Sequence, residues 1–321
     1  MTLRTLVTGG AGFIGSHVAD LLIAEGHDVE IIDDLSTGNI DNVPAPAKLH
    51  RLSVVSDEAA AVVRHGEFDM LVHLAAQIDV RRSVADPIFD ATTNIMGTLN
   101  MLEAVRISGR NTRVAFTSTG GAIYGDFNTP PNVENFPKEP ESPYAISKLA
   151  SEYYLTYFGR LHGLEHVTLR FGNVYGPRQD PHGEAGVVAI FCSRILDGKP
   201  LTIFGDGQQT RDYVYVGDVA RAVYLGLTSP LPAAERVDTR SFNVGTGVGT
   251  SVLELAELLK SAADSKAEVS FAPHRPGEQM ESFLDCTKAG EMLGWWPQTR
   301  LSDGLARTFA WSEAQRAALH S

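Results

Sequence analysis

A glycine-rich stretch, Thr8–Gly15, stands between an apolar run that begins at Leu3 and a helical pattern that begins at Phe13. Its glycines permit a tight turn, a close approach of the backbone to a pyrophosphate and close packing of the helix. The helix N-terminus also attracts phosphate, because its free N–H groups and its dipole favour negative charge. The stretch therefore predicts a dinucleotide site at the start of the chain. The residues expected to bind the dinucleotide are Gly9, Gly12, Phe13, Ile14 and Gly15.

Short β-branched runs alternate with helical patterns from Leu3 to about Arg170. Strands that alternate with helices pair in parallel, so the fold class expected is α/β, a doubly wound parallel Rossmann sheet. Ligands bind such sheets beyond the carboxyl ends of the strands. The predicted strands are Leu3–Thr8, Asp28–Asp33, Lys48–Val54, Asp69–Leu74, Arg113–Ser118 and Glu165–Arg170. The predicted helices are Phe13–Glu25, Asp57–His65, Pro87–Ser108 and Pro143–Leu161.

Two lobes are expected without a flexible linker between them. Residues 1–170 would form the Rossmann domain, and residues 171–321 a smaller C-terminal α/β lobe for the substrate. Beyond Arg170 the pattern loosens into Gly- and Pro-rich loops. A segment near residues 212–246 is expected to return to the first domain, with Phe242–Val244 as a β-type segment.

Charge and composition narrow the function. The formal net charge of -12 argues against nucleic-acid binding, which needs a dense basic surface. No apolar run reaches membrane-spanning length, and no signal peptide is visible, so a cytoplasmic protein is expected. Cys192 and Cys286 lie far apart without metal or redox spacing, which favours two buried thiols and no metal site.

Asp33 ends the second predicted strand, eighteen residues beyond Gly15. An acid at this place can accept hydrogen bonds from both adenosine-ribose hydroxyls and repels a 2′-phosphate, so NAD is the expected cofactor rather than NADP. The alternative is a turn carboxylate, since the sequence that follows favours a turn in any case. The residues of that turn are also candidates for cofactor binding: Asp34, Ser36, Thr37 and Gly38.

Small residues follow the fourth predicted strand, where a flat cofactor could lie against the backbone. The candidates are Leu74, Ala75, Ala76 and Gln77. His73, within the apolar strand, is interpreted as a core histidine rather than a catalytic one. Arg81 and Arg82 either border the substrate or face solvent, and the sequence leaves both readings open.

Tyr144 and Lys148 are four residues apart in the helix predicted from Pro143, so they share one face. Ser142 is a plausible N-cap, and proline is accepted in a first turn. A nearby ammonium favours the phenolate, so Lys148 is expected to lower the pKa of Tyr144. Tyr144 could then remove a proton from a sugar hydroxyl.

Thr119, Tyr144 and Lys148 resemble the catalytic Ser/Thr, Tyr and Lys of short-chain dehydrogenase/reductases. With the glycine stretch, Asp33 and the segment Arg170–Gly176, the chain resembles the extended, nucleotide-sugar branch of that superfamily from Leu3 to Trp311. The resemblance implies reversible C4 epimerisation of a UDP-hexose through a transient 4-keto sugar and bound NAD. It makes Tyr144 the base, Lys148 the holder of the nicotinamide ribose, and Thr119 the hydroxyl that orients O4, with Ser118 a less favoured substitute.

The resemblance also implies contacts elsewhere in the chain. Further NAD contacts would be Ser53, Val54, Asn94, Thr117 and Phe171, with Ser53 standing where an Asp is usual. The implied substrate contacts are Gln77, Gly120, Gly121, Asn173, Gly186, Val187, Val188, Thr202, Ile203, Phe204, Gln209, Arg211, Arg275 and Glu278. Arg211 and Arg275 would clamp the diphosphate, which suits planar guanidinium groups; the alternative for Arg211 is a salt bridge with Asp212. Glu278 replaces the usual Asp, so the uridine ribose would sit differently.

The loop after Thr119 distinguishes this chain from relatives with other activities on the same fold. The dehydratases carry Asp-Glu there and the decarboxylases a Glu, whereas Gly120 and Gly121 cannot move protons. A nucleotide-sensing protein without chemistry would generally lack the tyrosine and the lysine. Ser282 aligns with a gate where a Tyr excludes N-acetylated sugars, so UDP-GlcNAc is an expected second substrate.

UDP-glucuronate is the runner-up substrate. Asp180, after Gly176–Gln179, disfavours a second carboxylate, although Arg178 or His182 could compensate. A homodimer through a four-helix bundle of Pro87–Ser108 and Pro143–Leu161 is also implied by the resemblance. The apolar stripe Ile95, Leu99 and Leu102 suits that interface or the chain's own sheet.

Overall fold

The computed structural model describes residues 2–182, 186–274 and 279–319. The strands are β1 Arg4–Thr8, β2 Asp28–Ile32, β3 Lys48–His50, β4 Met70–His73, β5 Arg113–Thr119, β6 His166–Phe171, β7 Asn173–Tyr175, β8 Leu201–Phe204, β9 Thr210–Arg211, β10 Tyr213–Tyr215, β11 Ser241–Val244, β12 Thr250–Ser251, β13 Val269–Ala272 and β14 Glu281–Ser282. The helices are α1 Phe13–Ala24, α2 Asp57–His65, α3 Val80–Ala85, α4 Pro87–Ala91, α5 Gly97–Ser108, α6 Pro143–His162, α7 Val187–Leu196, α8 Val216–Thr228, α9 Val252–Ala262, α10 Thr287–Leu293 and α11 Leu301–Leu319.

A seven-stranded sheet in the order β11-β6-β5-β4-β1-β2-β3 forms the centre of the molecule, and all of its pairs are parallel. Alternate residues of each strand enter different cores, as the pleat requires. Val7 packs with α1 and α8 on one face, whereas Leu6 packs with α2, α5 and α6 on the other. The predicted doubly wound parallel sheet is therefore confirmed, and β11 confirms that Phe242–Val244 returns to it.

A third core lies among the C-terminal elements, where α7, α9 and α11 pack with the small strands β8 and β10. These elements carry three minor sheets, β10-β7, β12-β9-β14 and β13-β8. Meanwhile α8 packs on α1 and on β6, against one face of the main sheet. The division of the chain into two lobes stays a prediction.

Some predicted bounds were wrong. The third strand ends at His50 rather than Val54, because the Leu52 N–H turns back to the His50 carbonyl, and a second turn follows at Ser53. The predicted helix Pro87–Ser108 contains a π turn, Thr92–Met96, between α4 and α5. The sequence reading also missed α3 and every helix from α7 onward.

Both cysteines are buried and unpaired, as predicted, and burial raises the pKa of Cys192 to about 12. Within the described ranges, no helix is long and apolar enough to cross a membrane.

Candidate active site

The glycine stretch forms a tight turn against the end of β4. Gly9 adopts a φ of +73°, and a Cβ there would lie 2.8 Å from the Ala75 nitrogen. A Cβ on Gly15 would lie 2.0 Å from the Gly9 carbonyl oxygen, so a side chain at either position is excluded. Gly12 precedes α1 without a side-chain cap. The first turn of α1 therefore offers backbone N–H groups to an anion, as the pyrophosphate prediction requires.

Asp33 lies beside this turn and is buried. Its carboxylate accepts hydrogen bonds from the Ala11 N–H at 3.0 Å and the Leu35 N–H at 2.9 Å. Burial raises the pKa of Asp33, and these two hydrogen bonds oppose the rise. Each carboxylate oxygen keeps acceptor capacity for a ribose hydroxyl. Asp33 therefore makes the turn contacts that the alternative interpretation expects, and these contacts are compatible with ribose binding.

His73 is a core histidine, as predicted. Its Nδ1 lies 2.8 Å from the Thr8 hydroxyl and its Nε2 lies 3.1 Å from the Thr98 hydroxyl. The Thr98 hydroxyl donates to the Asn94 carbonyl, so it accepts from Nε2–H of a neutral ring. Burial, and to a smaller extent the charge of Lys148, lower the pKa of His73 to about 3. His73 is therefore placed to fix the carboxyl end of β4 rather than to transfer protons.

The helix that carries Tyr144 begins as predicted. The Ser142 hydroxyl accepts a hydrogen bond from the Ala145 N–H at 3.2 Å, and Pro143 occupies the first turn. The Lys148 ammonium donates to the Thr117 carbonyl at 3.0 Å and lies 4.9 Å from the centre of the Phe116 ring. Lys148 therefore joins α6 to the carboxyl end of β5, while Tyr144 stands one turn closer to the helix N-terminus.

The expected effect of Lys148 on Tyr144 is wrong for the protein's own groups. Burial raises the pKa of the Tyr144 phenol well above its ordinary value, and the negative charge of Asp90 adds to the rise. Burial lowers the pKa of Lys148 to about 8, while Asp90 and Glu152 oppose that change. The physical reason is desolvation, which disfavours the charged form of both groups.

The predicted hydroxyls occupy the end of β5. Thr119 pairs in register with Phe171 of β6, and the Gly120 N–H bonds the Phe171 carbonyl at 2.8 Å. Thr117 is buried and its hydroxyl donates to the His73 carbonyl. The Ser118 hydroxyl is buried without a hydrogen-bond partner among the described residues. An unpaired hydroxyl at this edge fits a site that completes its hydrogen bonds with a ligand.

Loops of the C-terminal part meet this edge. Asn173 is exposed, and its side-chain oxygen would lie 3.6 Å from a Cβ on Gly121. Asp212 follows Arg211, and its carboxylate accepts hydrogen bonds from Thr246, Gly247 and Leu284. Arg211 is half-buried and donates to the Thr210 carbonyl. Asp212 thus holds two segments, Thr246–Gly247 and the one that contains Leu284, beside Arg211.

The other predicted substrate contacts differ in what they offer. Gly186 and Val187 form the start of α7, which has no side-chain cap, so its first N–H groups suit an anion. Thr202 and Phe204 are half-buried in β8, and Gln209 is buried and donates to the Phe204 carbonyl. The side chains of Val188 and Ile203 lie in the third core, so only their main chains can contact a ligand. Arg275 and Glu278 lie outside the described residues.

Gln77 and Asn94 are predicted contacts whose side chains are bound within the protein. Asn94 accepts from the Gln77 N–H at 2.8 Å and donates to its carbonyl at 2.9 Å. Both amides also donate to Asp90, each at 3.0 Å. Contacts from Gln77 and Asn94 to a ligand stay predictions, and these internal bonds fix the position of both side chains. The sequence reading missed Asp90, whose only signal was an acid four residues before Asn94 in a predicted helix.

Two weaker cofactor predictions concern the loop after β3. Ser53 is half-buried, and its carbonyl accepts from the Ser56 N–H. Val54 is buried, and its carbonyl accepts from the Asn100 amide at 2.8 Å. Contacts from Ser53 or Val54 to an adenine stay predictions.

Sequence and structural similarity cover nearly the whole chain. A family model described as GDP-mannose 4,6 dehydratase matches residues 6–308. UDP-glucose 4-epimerase of Mycolicibacterium smegmatis is 45% identical over 311 residues, which is 95% of this chain and 97% of that protein. The crystal structure of UDP-glucose 4-epimerase from Thermotoga maritima with UDP-glucose has a TM-score of 0.93 and 44% identity, over 98% of this chain and 100% of that one. The Thermus thermophilus UDP-glucose 4-epimerase complex with NAD has a TM-score of 0.87 and 44% identity, over 97% of this chain and 99% of that one.

Proposed function

The chain belongs to the NAD-dependent epimerase/dehydratase family of extended short-chain dehydrogenase/reductases, and we propose that it interconverts UDP-glucose and UDP-galactose by inversion at C4. The observation that carries the proposal is the bond from Lys148 to the Thr117 carbonyl. That bond holds the helix of Tyr144 against the strand end of Thr119, and the neighbouring strand β4 ends against the glycine turn of Gly9. A base, a hydroxyl and a dinucleotide site therefore share one edge of the sheet.

Bound NAD would supply a reversible hydride acceptor for C4 of the sugar, so the reaction would consume no oxidant. Tyr144 removes the proton from O4 and later gives it back. Thr119 holds O4 in position, and Lys148 supplies positive charge beside the phenol and a donor for a ribose hydroxyl. The phenolate needs such positive charge, because burial alone disfavours it.

Inversion requires the keto sugar to turn while the rest of the substrate stays bound. We propose that the rest of the substrate is bound by the main-chain groups of Gly186 and Val187 and by the side chains of Asn173, Arg211 and Arg275. The two-lobe division, residues 1–170 and 171–321, follows from the same assignment, since the first would hold NAD and the second UDP. A cytoplasmic location stays a prediction.

Dehydration is the activity that the name of the family model suggests, and the end of β5 argues against it. Elimination of water needs an acid and a base beside C5 and C6, but Gly120 and Gly121 follow Thr119. A Cβ on Gly120 would lie 2.6 Å from the Leu284 side chain, so an acidic side chain there would require Leu284 to move. Leu284 lies two residues beyond Ser282 of β14, which supports the proposal that Ser282 borders the site.

UDP-glucuronate is a weaker candidate because Arg178 is already engaged. Its guanidinium lies 2.7 Å from the Asp20 carboxylate of α1. A residue held in this pair is a poor partner for a second substrate carboxylate, and Asp180 adds negative charge nearby.

The wild-type protein is expected to convert UDP-glucose and UDP-GlcNAc without added cofactor. Ser282 is small and buried, and it pairs in register with Arg211 across β14 and β9. In a Ser282→Tyr variant, turnover of UDP-GlcNAc should fall about tenfold or more while turnover of UDP-glucose is kept, because the ring fills the space of the N-acetyl group. Chromatography of the UDP-sugar products measures both reactions.

A Ser282→Ala variant is the matched control and should keep both substrates. The substrate prediction fails if wild-type protein that is active on UDP-glucose leaves UDP-GlcNAc unconverted. The proposed function itself fails if no UDP-sugar is converted.

We further propose a homodimer in which α6 packs against its copy. Leu102 lies in the chain's own core, so that part of the predicted stripe serves the sheet. The outward face of α6 instead carries large exposed apolar side chains at helical spacing: Ile146, Tyr153, Tyr154, Tyr157 and Leu161. A second copy of this face is the partner that would cover the stripe, since each copy presents the same surface.

Sedimentation equilibrium is expected to give twice the chain mass of 34.7 kDa. A Leu161→Glu variant should shift the protein to monomer, because the added charge would be desolvated in the interface. A Phe271→Glu variant, which changes an exposed apolar residue of β13, should remain dimeric. A monomeric wild-type protein at micromolar concentration would contradict the dimer.

A further inference from the structure

Asp90 is a carboxylate with no solvent exposure, at the end of α4 and next to the π turn Thr92–Met96. Its hydrogen bonds come from neutral groups. One oxygen accepts from the Gln77 and Asn94 amides, each at 3.0 Å, and the other accepts from the Ser147 hydroxyl at 2.7 Å. A buried charge held in this way is costly, so its retention needs a reason.

The three donors belong to different parts of the site. Gln77 follows β4, Asn94 lies in the π turn, and Ser147 lies on α6 between Tyr144 and Lys148. π turns are frequent at functional sites. Asp90 therefore ties the helix of the proposed base to the loop that borders the predicted cofactor.

The charge of Asp90 also acts on the site. It opposes the burial that lowers the pKa of Lys148 to about 8, and Glu152, one turn further along α6, acts in the same direction. From β4, the neutral ring of His73 faces Lys148, and from β5 the Phe116 ring does so. Glu152 is shared with Arg170, which bonds both of its oxygens. Asp90 is thus the acid near Lys148 that no cation neutralises among its described hydrogen bonds.

We propose that Asp90 is a positioning residue for the proposed epimerisation, holding α6 through Ser147 and acting on Lys148 through its negative charge. The proposal rests on the proposed function for its role in turnover. Its electrostatic half is a property of the folded protein and can be measured without turnover.

An Asp90→Asn variant is expected to lose about tenfold or more in kcat, with KM for UDP-glucose changed less than about twofold, because the base is misplaced rather than the UDP site. Activity that needs the Lys148 ammonium falls as pH rises through its pKa. This fall is the alkaline limb of the pH–activity profile. Without the carboxylate, the alkaline limb should shift to lower pH by about one unit. A structural loss alone would lower kcat and leave the limb in place.

Two further variants separate the roles. Ser147→Ala removes the anchor and keeps the charge, so kcat should fall while the alkaline limb stays. Asp218→Asn changes another buried carboxylate, one that accepts from Gln298 and Thr299 far along the chain, and should leave the pH profile unchanged. If Asp90→Asn does not fold, an unchanged kcat in Ser147→Ala would overturn the proposal.

The titration of Lys148 can be followed directly by NMR of protein with labelled lysine side chains, since the chain has seven lysines. Lys148→Met identifies the signal. The proposal expects a lower pKa for Lys148 in Asp90→Asn than in the wild type, and equal values would overturn it. An absence of turnover in the wild type would instead refute the proposed function, and the NMR result would still decide the electrostatic role of Asp90.

Discussion

A Tyr144→Phe variant is expected to lose about a thousandfold or more in kcat for UDP-glucose while keeping its fold and its bound NAD. The substitution removes one hydroxyl from α6 and leaves the ring, the Ser142 cap and the bond from Lys148 to Thr117 in place. Proton transfer at O4 then has no base, because the nearby histidine, His73, has both ring nitrogens bound to hydroxyls. Coupled assay of UDP-galactose formation measures the loss.

Tyr224→Phe is the matched control, since Tyr224 lies on α8 rather than at the site. It should retain wild-type turnover. Comparable turnover by Tyr144→Phe and the wild type would remove Tyr144 from the chemistry and leave the proposed mechanism without a base.

A Gly15→Ala variant is expected to lose NAD, and with it all activity. The added Cβ would lie 2.0 Å from the Gly9 carbonyl oxygen and 2.9 Å from the Gly10 Cα, both backbone atoms that cannot move without opening the turn. A turn that opens withdraws the N–H groups of α1 from the pyrophosphate. We expect NAD affinity to fall about a hundredfold or more, at a loss of about 3 kcal/mol. Calorimetric titration with NAD measures the affinity.

Gly109→Ala separates this clash from a general cost of replacing glycine. Gly109 ends α5 at a φ of +67° with open space around its Cβ position. That variant should lose about 1 kcal/mol of folding free energy through strain alone and should bind NAD normally. Normal NAD binding by Gly15→Ala would show that the glycine turn does not hold the cofactor.

Local sequence signals were sufficient where one residue type has one physical use. The glycine turn, the Ser142 cap and the parallel sheet follow from such signals, and the structure confirms each of them. The core reading of His73 was also predictable, because a histidine inside an apolar strand can satisfy both nitrogens with neighbouring hydroxyls.

Properties that depend on tertiary contact were not predictable. Desolvation decides the pKa values of Tyr144 and Lys148, and a helical spacing of four residues carries no information about burial. The contacts of Asp90 were not predictable either, because its partners Gln77 and Ser147 are distant from it in sequence. The helices from α7 onward were missed because loops rich in Gly and Pro separate them, and those loops dominated the reading of that half.

The most direct test of the central claim uses UDP-glucose that carries deuterium at C4. With the wild type in ordinary water and no added cofactor, the account predicts UDP-galactose that retains the deuterium at C4, since the same hydride returns to the opposite face. Tyr144→Phe should form almost none of this product. Loss of the deuterium to solvent, or its appearance at another carbon, would contradict oxidation and reduction at C4 as the route of inversion.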